Sequence, residues 1–413
     1  MSAVPAHAVP GTCRVVRRGR SLAVLTLGAA TMQAAVMVAS TASTLMFAGA
    51  FGDRWGGLPP TAGVAGVAAG SIGLTWLMRL TGRRSGLITA YAVAAAGAGV
   101  AVAGVLFEPL LVVAGLFLLG VGNAGSQLAR YAGADLYPAA RQGFALSAVA
   151  WAGTIGAVGG PAMLAPATAV ADAAGLPAMA GVFLLALAAA AVAGLVTTGV
   201  HRSATPVRRG GQATAPPRLL AAPAIRIALV AMVASHVVMV ALMVAAPLHL
   251  DHHGHGLGAV GAVISLHVLG MYALAPLSGR LTDRYGSRRV LVAGVATIGA
   301  SAVVLVGAAH LSEPWFAVAL FALGYGWSMS MVAGSALLVR DVPPAERLRV
   351  QGRVEAWVWG AAALAALMSS QLLALGGYRL LATVCVALVA ATVLSILRTR
   401  VTPGPAVMSG RPR

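Results

Sequence analysis

Lysine is absent from this 413-residue sequence: all 28 basic residues are arginine, and only 10 residues are acidic. Charged residues make up 9% of the chain, against roughly 25% in soluble globular proteins, which argues against a soluble enzyme. Cysteine is almost missing too. Cys13 falls in the N-terminal tail and Cys385 in the last apolar run, so neither a disulfide framework nor a metal-ligand spacing is present. What the sequence has instead is apolar length, with 59% hydrophobic residues, which excludes disorder and collagen. Twelve charge-free runs of at least 18 residues cover 21–52, 55–78, 85–107, 109–129, 142–171, 173–201, 227–250, 252–279, 290–312, 314–339, 356–378 and 380–397. About 20 apolar residues cross a bilayer as a helix, so the expectation is an all-α membrane protein with twelve transmembrane helices and little outside the lipid.

The net charge of +18 does not imply nucleic acid, because the arginines fall between the runs and do not gather on one surface. With both termini cytoplasmic, 26 arginines lie inside and only Arg54 and Arg379 outside, which fixes the orientation by the positive-inside rule. The first run exceeds the h-region of a signal peptide, and its basic flank suits a retained first helix, so no cleavage is expected.

An internal repeat decides the architecture. Asp135-Leu-Tyr-Pro138-Ala139-Ala-Arg141 recurs as Asp341-Val-Pro-Pro344-Ala345-Glu-Arg347, an offset of 206 that Trp151 and Trp357 share. Glu108-Pro109 recurs as Glu313-Pro314, Gly120-x-Gly122 as Gly324-x-Gly326, and Gly82-Arg83-Arg84 as Gly286-Ser-Arg288-Arg289. The order is kept, so the halves read as parallel six-helix repeats. The expected division is a cytoplasmic tail at 1–20, a first bundle at 21–201, a basic linker at 202–222, a second bundle at 223–398 and a tail at 399–413. Five arginines and four prolines between 202 and 226 suit that linker.

After the eighth run the chain reads Gly279-Arg-Leu281-Thr-Asp283-Arg284-Tyr-Gly286-Ser-Arg288-Arg289. Positive-inside bias explains the arginines but not the Gly, Leu, Asp and Gly at those spacings. The segment resembles the G-x-L-x-D-R-x-G-x-R-R loop of the major facilitator superfamily, in which it serves as a gate latch. Gly279 then permits close helix approach, Asp283 is placed to bond a helix N-terminus, and the arginines hold the loop at the anionic leaflet. The corresponding first-half loop keeps Thr75, Leu77 and Gly82-Arg83-Arg84 but has Arg79 at the Asp position. That half lacks the acidic latch and needs other gate contacts.

The fifth run contains Gly156-Ala-Val-Gly159-Gly160-Pro161, which resembles the core of the motif of the drug/proton antiporter branch; Leu164 and Ala165 replace its following glycine pair. Small residues at this spacing also serve plain helix packing, and Pro161 bends a helix. The branch's arginine in the fourth span is replaced by Leu116. No Asp or Glu falls in the middle of any run, which leaves His236 and His267 as intramembrane groups that titrate near neutral pH. Either can equally be a neutral interhelical hydrogen-bonding group.

The family resemblance implies a central cavity lined by helices 1, 4, 7 and 10. Gln33, Asn123, Gln127, His236, His267, Tyr325 and Trp327 are its candidate substrate or proton residues, with Ser126 and Ser328 at similar depth. Arg130 is expected to snorkel or to pair with Asp135 or Asp283. His249, Asp251, His252, His253 and His255 form a histidine-dense loop that admits a metal reading, against that of a pH-sensitive external cap. No P-loop, nucleophile elbow or zincin helix occurs, so neither an enzyme nor a cofactor is expected. The sequence therefore points to a monomeric secondary transporter of the cytoplasmic membrane, exporting a small hydrophobic or weakly polar compound, with proton exchange through histidine. Its partners are the bilayer, the solute and protons. Alternatives are an importer of the same fold, a metal exporter, or a membrane receptor or assembly factor.

Overall fold

A computed structural model describes residues 10–52, 55–200, 222–252, 257–307 and 312–399. Among these the chain is helical, with one 3-10 turn at Ala139–Arg141 and no strand. The first half holds α1 (Pro10–Phe51), α2 (Leu58–Thr81), α3 (Arg83–Leu106), α4 (Leu110–Asp135), α5 (Gln142–Ala162), α6 (Leu164–Ala173) and α7 (Ala178–Thr197). The second holds α8 (Pro223–His252), α9 (Leu257–Tyr272), α10 (Ala275–Tyr285), α11 (Ser287–Val306), α12 (Glu313–Arg340) and α13 (Arg347–Arg398). Among the described residues, ten helical segments are long and apolar enough to cross a membrane. Inside lipid only a helix satisfies its own backbone, and the absence of charge along these runs leaves the chain no alternative.

The runs and helices differ in instructive places. Run 142–171 is broken at Met163 into α5 and α6, two residues after Pro161. Run 252–279 is broken at Ala273 and Leu274 into α9 and α10. The last two runs lie in α13, which reverses at Gly376-Gly377, where Gly377 adopts φ +64, open to glycine without strain. The tail expected at 1–20 is helical from Pro10, and the basic linker at 202–222 lies almost wholly outside the described residues.

The repeat extends to individual contacts, and the glycine contacts keep an offset of 204. In the first half, a Cβ on Gly66 would collide with the backbone of Phe117 and Val121; in the second, one on Gly270 would collide with Phe321 and Tyr325. Gly122 abuts Ala90 and Ala94 as Gly326 abuts Gly294 and Ile298. Lipid is as apolar as the side chains it meets, so close van der Waals packing at small residues holds such helices together. The α3 and α11 N-termini are also copies: Gly82 (φ +88) and Gly286 (φ +90) turn the chain, and Arg84 and Arg288 then bond the carbonyls of Thr198 and Thr399. Trp151 and Trp357 both face outward.

Each half is a bundle, in which α1 packs on α5 and α7, and α8 on α13. The halves meet chiefly through α2 against α13 and α5 against α10. That pairing places a cavity at their junction.

Candidate transport site and the seam beneath it

The cavity between the halves is lined from α1, α4, α5, α9 and α12, with α8, the seventh span, contributing nothing. Of the residues expected there, Gln33, Gln127 and Trp327 line it, joined by Ser126, Arg130 and Tyr272. Asn123, His236, His267 and Tyr325 do not. The two histidines are buried behind it, each held by a hydrogen bond: Trp327 Nε1 donates to His236 Nδ1 at 2.6 Å, and His267 Nδ1 meets the Leu320 carbonyl at 2.7 Å. His236 also packs edge-on against Trp359, with ring centroids 4.9 Å apart. Asn123 is occupied within its own helix by Ser126 Oγ at 2.6 Å. Asn123 shares the face of α4 that carries Ser126, Gln127 and Arg130, so its place one turn further along the helix, not helical rotation, keeps it out of the lining.

About 50 Å³ of the cavity is open to the centre of a water molecule, whereas pockets for small organic ligands run to roughly 300–1,000 Å³. Room for a solute requires the halves to move apart. Trp327 and Tyr272 form an aromatic wall, edge to face at 5.8 Å between centroids.

The sequence reading missed the cavity's floor. Glu355 immediately precedes the eleventh run in sequence, but α13 begins at Arg347 and carries it inside the protein, fully buried. Glu355 Oε1 accepts from Arg130 Nη2 and, at 2.7 Å, from Tyr131 Oη, whose hydroxyl in turn accepts from Ser335 at 3.2 Å. Arg130 therefore neither snorkels nor pairs with Asp135 or Asp283. Its other terminal nitrogen donates to Gln127 at 2.9 Å. The missed signal was the helix start: the D-x-x-P-A-x-R repeat ends at Arg347, which would have placed Glu355 two turns inside a span.

Below this floor, toward the arginine-rich end, polar contacts close the seam. Asp283 accepts from the backbone N–H groups of Gly143 and Phe144, both at 2.9 Å, and so caps the N-terminus of α5 from the other half. Arg340 donates to Asp283 at 2.9 Å, and across the seam to the Ala139 carbonyl at 2.8 Å. Gly279 lets this happen, because a Cβ there would strike the Gly143 carbonyl at 2.5 Å. Leu281 packs on the core, while Arg284 lies over the Tyr285 ring at 5.4 Å and Arg289 is exposed.

The first-half loop closes its side with the signs exchanged. Arg83 pairs with Asp135 at 2.7 Å and donates to Gln351 at 3.2 Å across the seam, where Arg347 also reaches Asp135 at 3.5 Å. Here the base sits on the loop and the acid at the end of α4; in the second half the acid precedes its loop and the base ends α12. Arg79 at the degenerate position is thereby compensated.

Elsewhere, Gly156 and Gly160 seat α5 on α1, where a Cβ on either would lie 2.7 Å from Gln33 or Met37 atoms. His249 is buried between the rings of Phe316 and Tyr378. Asp251 and His252 end α8, and His253 and His255 lie outside the described residues. No cluster of metal-ligating side chains occurs among the described residues.

Two helical halves related by a repeat, with a polar cavity at their junction, define a membrane transporter fold. A family model described as Major Facilitator Superfamily matches residues 227–412. The MFS-type transporter YdeG of Bacillus subtilis is 32% identical over 339 residues, covering 79% of each chain. This chain belongs to the Major Facilitator Superfamily. It is also 29% identical, over 76% of its length and 78% of the relative's, to the riboflavin transporter RfnT of Brucella anthropi. Among solved structures, the superfamily transporter FucP in its outward conformation matches with a TM-score of 0.71 and 16% identity, over 92% of this chain and 99% of that one.

Proposed function

We propose that this protein is a secondary active transporter that carries a small organic solute across the bacterial cytoplasmic membrane as a monomer of twelve spans, with both termini inside. The observation that carries the reading is the constricted polar cavity at the junction of two repeats whose seam is closed by exchangeable polar contacts. Rocking of the halves about that cavity, which opens the arginine-rich end as the other closes, gives alternating access. The arginine distribution sets that end toward the cytoplasm. Gln33, Gln127, Ser126 and the aromatic wall suit a weakly polar solute.

Efflux of a hydrophobic or weakly polar compound is the direction suggested by the helix-5 motif. Uptake is the second reading, since an importer shares the same fold and gate. Proton coupling fits Glu355 better than the histidines, which stand behind the cavity wall. The His249 environment supports packing in place of a metal path.

Accumulation of fluorescent hydrophobic compounds, with riboflavin in the panel, should be measured in cells with and without the protein and with and without a proton uncoupler. Lower accumulation reversed by the uncoupler establishes efflux; higher accumulation abolished by it establishes uptake. Identical accumulation in all four conditions counts against transport.

A further inference from the structure

We infer that the central cavity takes a small planar organic anion at Arg130, and that Glu355, the counter-ion which the anion displaces, carries one proton with it. The inference rests on the transporter reading above and adds a substrate class and a coupling residue. Arg130 is the one charged residue in the cavity lining. Its attachment to Glu355 uses a single nitrogen and a single oxygen, where a guanidinium and a carboxylate can make two parallel bonds. Arg130 Nε and Glu355 Oε2 are both buried with no hydrogen-bond partner. The pair thus holds unused donor and acceptor capacity at the floor of the cavity, which the solute reaches once the halves move apart.

Charge balance then dictates the coupling. With Glu355 ionised the site is neutral, and a second carboxylate beside Arg130 would leave an unpaired negative charge inside the membrane, which is costly. A proton from the open side cancels it: one O–H bond forms on a Glu355 oxygen, the Arg130–Glu355 contact is lost, and Arg130 passes to the anion. Among the described residues, the ionisable side chains bonded to Glu355 are Arg130 and Tyr131 of α4, and His236 of α8 packs on Trp359 of the same helix as Glu355. α12 contributes Ser335, while α2 approaches the same helix with Ser71 and Thr75 at Gly352. Arg353, two residues away, leaves the helix on a different face.

The same contact joins the two halves. Losing it when anion and proton are both aboard releases the floor toward the arginine-rich seam, so both leave on that side. Trp327 and Tyr272 offer aromatic faces that select a planar anion.

The test uses the full chain in nanodiscs, with 4-hydroxybenzoate and indole-3-acetate as probes and 4-hydroxybenzamide as the uncharged match. Calorimetry in buffers of different ionisation heat counts protons. The two anions should bind about tenfold or more tightly than the amide, taking up about one proton each. In Glu355→Gln the anions should still bind, with no proton uptake and no pH dependence; in Arg130→Gln the preference for anions should vanish. If either single variant fails to fold, the double variant R130Q/E355Q strands no charge and should fold while binding anion and amide alike. Equal binding of anion and amide by the wild type, anion binding without proton uptake, or no binding of any probe would overturn the inference. Uncoupler-sensitive flux of neutral dyes that persists in the double variant would overturn it while leaving the transporter reading intact.

Discussion

Asp283 shows how much one side chain does at the seam. It accepts two backbone N–H bonds at the start of α5 and one from Arg340, so its charge meets a helix N-terminus and a guanidinium together. Replacing it by Asn keeps the shape and removes the charge. Asp283→Asn should lower the melting temperature in detergent by the equivalent of about 1–2 kcal/mol, the range for a partly buried carboxylate at a helix N-terminus. It should also slow transport in whichever direction the accumulation assay gives; wild-type flux would remove Asp283 from the gate. This residue was legible in the sequence because its motif fixes the spacing. Glu355 was not, since a carboxylate at the end of an apolar run reads as a boundary until the helix start is known. For the histidines the depth was legible, but which face of α8 and α9 they occupy depends on helix rotation.

Whole elements are positioned by glycine in this chain. A Cβ on Gly120 would sit inside the backbone of Gly63, so α2 and α4 touch main chain to main chain. Gly120→Ala should therefore destabilise the protein by about 1–3 kcal/mol, as overpacking does. Gly73→Ala is the control: nothing lies within 4 Å of its added Cβ, and higher helix propensity should make the change neutral or slightly stabilising. Thermal unfolding of the two variants in one detergent separates packing from propensity. The repeat offset was legible because these glycines leave a pattern. The break at Met163 was foreshadowed by Pro161, but the one at Ala273-Leu274 was not legible, because the run stays apolar through it and hydropathy does not respond to a local turn.

At the scale of the molecule, transport requires the α2–α13 and α5–α10 contacts to part. Gly352 lies against Ser71 and Thr75. The side chain facing Gly352 is that of Thr75, so a cysteine pair introduced by Thr75→Cys and Gly352→Cys, with Cys13 and Cys385 removed, should crosslink and stop flux, and a reductant should restore it. Undiminished flux through the crosslinked protein would exclude rocking about this seam. Composition by itself determined the helical class, because burial in lipid forces helices, and the recurring motifs determined the repeat. Which side chains meet across the halves was decided by the tertiary structure alone. Arg130 and Glu355 are 225 residues apart, and Arg83 takes over where Arg79 departs from the motif. Such pairings depend on helix rotation and on the fit of two bundles, and neither leaves a periodic trace along the chain.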